Sequence, residues 1–88
     1  MFIDSSALVE ILSLAPRRQK LLERLAAAST PLSTSATVIY ETSVVLARET
    51  RKDVVTARNF VLEFLDELDV EVIPMTRSTA IAATEPFA

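Results

Sequence analysis

The sequence predicts an α/β fold around a mostly parallel sheet, and three observations carry that reading. Short stretches at 1–4, 32–35 and 70–73 read as strands. The chain between them shows apolar residues at helical spacing, broken by hydroxyl, proline and aspartate punctuation. The resulting order β-α-α-β-α-α-β-α puts helices between successive strands, which is the connection that parallel neighbours require.

Each element has a local reason. Residues 1–4 form a very short apolar strand ending on Asp4. Ser5 and Ser6 are placed to cap a helix in which Leu8, Ile11, Leu12 and Ala15 fall at i, i+3, i+4 and i+7. Pro16 suits the first position of a second helix, which runs to about residue 28 with Leu21, Leu22 and Leu25 on one side. After Ser29-Thr30-Pro31 and the strand at 32–35, Ser35 or Thr37 caps a third helix over about 38–49, with Val38, Thr42, Val45 and Leu46 facing inward. Arg51-Lys52 makes a turn, and Asp53 caps a fourth helix over about 54–68 with the stripe Val54, Ala57, Val61, Phe64, Leu65 and Leu68. The stretch Val70-Glu71-Val72-Ile73 alternates, is β-branched and is stopped by Pro74. A last helical stretch is expected over 79–84.

Composition narrows the chemistry. The 88 residues hold no glycine, histidine or cysteine. Without glycine there is no Gly-rich phosphate loop of the Walker or dinucleotide kind. Without histidine and cysteine, His/Cys zinc sites, Ser-His-Asp and Cys-His catalysis and disulfide frameworks are all excluded. Carboxylates are left to do metal or acid–base work, and the ion they suit is hard and oxygen-loving, magnesium or manganese. Twelve acids against nine bases give a net charge of −3, so the chain lacks the basic character of a general nucleic-acid binder. No basic-then-apolar leader and no apolar run of membrane length is present in these residues, and a cytoplasmic location with no membrane partner is expected.

The candidate site follows from position. In an open parallel sheet, functional groups gather beyond the carboxyl ends of the strands. Asp4 ends the first strand, and Glu41 is expected in the first turn after the second, able to lean back over the same edge; Ser6 adds a hydroxyl two residues beyond Asp4. Taken singly, each has an ordinary explanation: Asp4 as a helix cap, Glu41 as one of twelve solvated acids. Taken together, an acid closing an apolar strand and another inside Val38-Ile39-Tyr40-Glu41 are the oxygen donors of a magnesium-type site.

These segments resemble a known family. Phe2-Ile3-Asp4-Ser5-Ser6-Ala7-Leu8 looks like the opening of PIN domains, and Ser33-Thr34-Ser35-Ala36-Thr37-Val38-Ile39-Tyr40-Glu41 is similar to their second acidic segment. The order of elements resembles that family throughout, most closely VapC-type toxins of bacterial toxin–antitoxin pairs. The resemblance implies a PIN-like three-layer fold, truncated after the third strand, in a single incomplete domain over 1–88. It further implies an endoribonuclease in which Asp4 and Glu41 hold Mg2+ or Mn2+ and Ser6 supports them by hydrogen bonding. The ion activates a water for attack on an RNA phosphodiester. A VapB-like antitoxin and a homodimer are the implied protein partners. The family's later acids have no counterpart in residues 77–88, so reduced metal affinity, and an inactive 88-residue chain, are also expectations.

Other readings remain beside this one. Arg48, Arg51 and Lys52, with Arg17, Arg18, Lys20, Arg24 and Arg58, are candidates for a phosphate-contacting face, although interspersed acids favour ordinary solvated helix surfaces. A non-catalytic α/β interaction module, binding a partner protein through a sheet edge or helix groove, is the main alternative. A receiver-type phosphoryl-transfer domain is a weaker one, because no acid pair follows the first strand and no lysine ends a later one.

Overall fold

The computed structural model describes residues 1–74 and residue 77. Helix α1 (Ser5–Leu12) and helix α2 (Arg18–Ala26) precede strand β1 (Ser33–Ser35); helix α3 (Ala36–Thr50) and helix α4 (Val54–Glu67) lead to strand β2 (Glu71–Ile73). The helix expected over 79–84 lies outside the described residues. The chain has the α/β architecture the sequence predicts.

The sheet is parallel and β1 lies at its centre. On one side β1 pairs with β2 in the register Ser33 to Glu71, Thr34 to Val72 and Ser35 to Ile73. On the other, Phe2 forms a parallel bridge with Ser33: Ile3 N–H donates to Ser33 O at 2.8 Å, and Ser33 N–H to Met1 O at 2.9 Å. The first strand expected over 1–4 is thus a single bridge. The reason is local, because Asp4 is already extended as the N-cap of α1 (φ −87°, ψ 171°) and the chain leaves the sheet at Ser5.

Helices α1, α3 and α4 begin where the sequence places aspartates and a hydroxyl, whereas α2 follows Arg17 with no side-chain cap. The Asp4 carboxylate accepts from Ala7 N–H at 2.8 Å, the Ser35 hydroxyl from Val38 N–H at 3.2 Å, and the Asp53 carboxylate from Thr56 N–H at 2.8 Å. Each satisfies one of the donors that a helix start leaves unpaired. Asp4 itself, rather than Ser5 or Ser6, is the cap of α1. Helix α2 starts at Arg18, two residues later than Pro16 suggests; Arg18 Nε donates instead to Ile11 O at 3.0 Å, closing the end of α1.

Three helix exits share one geometry without any glycine. Leu14, Arg51 and Asp69 adopt φ of 58°, 57° and 53°, the left-handed region that favours glycine. The residue after each returns a hydrogen bond to a carbonyl five back: Ala15 to Glu10 at 3.0 Å, Lys52 to Ala47 at 3.1 Å and Val70 to Leu65 at 2.9 Å. These are Schellman closures, which reverse the chain within two residues.

The core joins the helices to the sheet. Leu8 and Ile11 of α1, Val38, Leu46 and Ala47 of α3, and Ala57, Val61 and Leu65 of α4 are buried, together with Ile3 and Leu25. Helix α3 packs most extensively on α4, and α1 on α3. The buried face of α4 begins at Ala57, since Val54 is 44% exposed. Thr42 and Ser43 are buried beside Leu46, so α3 sinks more of its surface than its apolar residues alone predict.

Candidate active site

Asp4 and Glu41 are delivered by elements that share β1. The bridge to Ser33 fixes the residues before Asp4, while Ser35, the last residue of β1, caps the helix that carries Glu41. Glu41 lies on the second turn of α3 and is exposed, as is Asp4. The Ser5 hydroxyl, immediately after Asp4, donates to Glu41 Oε2 at 3.3 Å. One hydrogen bond therefore links the rim where the first segment leaves the sheet to the acid on α3.

The surroundings are built from helical pairs. Ser5 and Val9, Ser6 and Glu10, and Glu41 and Val45 line a shallow depression of about 350 Å³ between α1 and α3. Each pair is spaced i, i+4, so each shares a helix face. Ser6 lies in this depression, and the hydroxyl that reaches Glu41 is that of its neighbour Ser5. Sequence reasoning missed both Ser5 in this role and Glu10, whose spacing from Ser6 was the available signal. Glu10 also meets Arg17 across the surface, with Oε1 at 3.8 Å from Nη1.

The basic candidates lie elsewhere along α3 and its exit. Arg48 follows Glu41 by seven residues, about 10 Å further along the same helix face. Arg51 is the left-handed corner of the α3–α4 turn. Lys52 lines a different cavity of about 330 Å³, with Leu12, Leu46, Thr50, Thr56, Ala57 and Phe60.

The donor chemistry fits a hard divalent cation. Asp4 uses Oδ1 to cap α1, and Glu41 uses Oε2 to accept from Ser5; no further hydrogen bond to either carboxylate is seen among the described residues, so each keeps an oxygen for a ligand. No three acidic side chains converge to hold an ion among the described residues. Two protein carboxylates leave room for water, which magnesium retains readily.

A family model for the PIN domain matches residues 1–88. The chain belongs to the PIN-domain family. A search of curated proteins found no match. PIN domains are generally nucleases that act on RNA or other nucleic acid and typically use divalent metals. In this PIN domain the two acids at the sheet rim belong to the segments whose resemblance to the family the sequence displays, residues 2–8 and 33–41. Among its described residues no helix is long and apolar enough to cross a membrane.

Proposed function

We propose that this PIN domain is a metal-dependent endoribonuclease of the VapC toxin type, with Asp4 and Glu41 holding Mg2+ or Mn2+. The observation that supports the reading most is the hydrogen bond from Ser5 to Glu41, which brings the Asp4 rim and the α3 acid to one edge of the sheet. A bound ion would supply Lewis acidity and an activated water for phosphodiester hydrolysis.

The chain's own residues do the rest. Asp4 and Glu41 bind through their remaining oxygens, and Ser5 fixes the orientation of Glu41. Ser6 presents a second hydroxyl to the same depression for a bound water. Val9 and Val45 wall the depression with apolar surface, which strengthens charge interactions beside them. Arg48, with Arg51 and Lys52 beyond it, would contact the RNA backbone away from the acids, where like-charge repulsion between phosphate and carboxylate is weakest. The protein partners of this reading are a VapB-like antitoxin and a second copy of the chain, in the cytoplasm.

A second reading has one observation in its favour. The apolar cavity walled by Leu12, Leu46, Ala57 and Phe60 fits a non-catalytic module that holds a partner helix. Cleavage of a structured RNA with and without Mn2+ separates the two. In a version of the domain that also carries the family's later acids, metal-dependent cleavage that disappears in Glu41→Gln is the expected result, whereas the 88 residues with two of the acids are expected to bind the ion weakly and to cleave little. Cleavage that persists in that variant, or in excess chelator, sinks the nuclease assignment to these acids.

A further inference from the structure

The two acids of the site reach it by separate routes, and both routes pass through adjacent residues of β1. Ser35 caps α3 and so sets where Glu41 begins its climb. Thr34 does something less ordinary on the other side. The parallel ladder between the N-terminal segment and β1 contains two main-chain bonds, both centred on Ser33. The next acceptor along that segment is Ile3 O, in the peptide that joins Ile3 to Asp4. It receives its hydrogen bond from the Thr34 hydroxyl, at 2.9 Å.

Burial makes this contact consequential. Thr34 is 0% exposed and Ile3 2%. A hydrogen bond away from water is electrostatically stronger than an exposed one, and an acceptor left unpaired there is costly. The carbonyl it holds belongs to the peptide plane preceding Asp4, so turning that plane would swing the Asp4 backbone away from its capping position. No main-chain ladder bond duplicates the contact at Ile3 O among the described residues.

We propose that Thr34 is a positioning residue for the active site, its buried hydroxyl fixing the Ile3–Asp4 peptide against β1 and thereby setting Asp4 in register with Glu41. This rests on the reading of those acids as metal ligands. No hydrogen bond from the Thr34 hydroxyl to the Asp4 or Glu41 carboxylate is seen among the described residues. Thr34 acts through the Asp4 backbone, while Ser35 acts through α3. The side chain of a sheet-centre threonine thus replaces the ladder bond that the turn into α1 gives up.

The test compares Thr34→Val, which keeps shape and loses the donor, with Thr34→Ser, which keeps the donor. Two quantities are read on the full chain: Mn2+ affinity by electron paramagnetic resonance, and, in metal-free solution, the nuclear Overhauser contact between the Ser5 and Glu41 side chains. Thr34→Val is expected to weaken Mn2+ binding by ~10–100-fold, the range seen when a group that orients a ligand is removed, and to lose the Ser5–Glu41 contact. Thr34→Ser is expected to restore both. If Thr34→Val does not fold, Thr34→Cys, a weaker donor of similar size, should show a smaller loss of each. Unchanged contact in the donor-weakened variants overturns the proposal, as does Mn2+ affinity equal to that of the parent. A parent that binds no Mn2+, yet loses the contact in Thr34→Val and regains it in Thr34→Ser, overturns the metal reading and leaves the positioning role standing.

Discussion

Ser5 and Glu41, 36 residues apart in sequence, are joined by a hydrogen bond of 3.3 Å from the serine hydroxyl to Oε2 of the glutamate. The bond ties the first residue of α1 to the second turn of α3, and so carries the geometry of the site across two elements. Ser5→Ala frees the Glu41 side chain to rotate. Mn2+ affinity should fall ~10-fold, the lower end for a supporting hydroxyl at an exposed position. Thermal stability should hardly change. A calorimetric titration giving parent-like affinity would show that Glu41 is held by other means.

Asp4 caps α1, and substitution can separate that role from the metal binding proposed for it. Asparagine caps helices as well as aspartate does, whereas alanine does not. Asp4→Ala should therefore lose about 1 kcal/mol of stability in urea unfolding, and Asp4→Asn much less. Both should abolish metal-dependent cleavage, because neither supplies a charged oxygen ligand. If Asp4→Asn retains full cleavage, Asp4 is a cap and nothing more.

The Asp53 carboxyl is held below its ordinary value of 3.8 chiefly by the backbone hydrogen bond from Thr56, with the Thr56 hydroxyl second. A depressed folded-state pKa means the ionised cap stabilises the fold fully above the unfolded-state value. That contribution is lost as pH falls through the folded-state value, in a window beginning near 4 and extending below it. Melting temperatures from pH 7 to pH 2 should therefore fall more steeply in the parent than in Asp53→Asn, which caps without titrating. Parallel curves for the two would refute the linkage.

Leu14, Arg51 and Asp69 occupy left-handed corners in which a Cβ is unfavourable. Glycine at Leu14, which is 74% exposed and gives up little burial, should raise stability by about 0.5–1 kcal/mol. Arg51→Gly should gain a similar amount. Asp69→Gly should gain less, because aspartate tolerates this conformation better than leucine or arginine. Chemical denaturation of the three variants checks the ranking, and destabilisation by Leu14→Gly would contradict the account.

The architecture was legible where side chains announce it. Asp53, Ser35 and the apolar spacing of Ala57, Val61 and Leu65 mark α3 and α4 in the sequence itself. Strand order also placed the segment of Asp4 near the start of α3, and the hydrogen bond from Ser5 to Glu41 shows those two segments meeting. The corners were not. With no glycine in the chain, the usual marker of a helix exit is missing, and Leu14 carries no local sign of a left-handed turn. The shortness of the first strand was hidden for a related reason: Phe2-Ile3 has strand chemistry, but the cap at Asp4 draws the chain into a helix after one bridge. Ser5 and Ser6 are equivalent hydroxyls in the sequence, and only the placement of α3 decides that Ser5 reaches Glu41.

The central strand consists of three hydroxyl residues, Ser33, Thr34 and Ser35, and each has a different task. Ser33 forms the bridge to the N-terminal segment, Thr34 takes the orphaned carbonyl, and Ser35 starts α3. In hydrogen exchange these residues are expected to open as one unit. A fluctuation that lifts β1 should release the segments of Asp4 and Glu41 together, because both are moored to it, and the lifetime of their arrangement should then follow the closed time of a three-residue strand. Exchange at the Thr34 amide would then serve as a clock for site assembly.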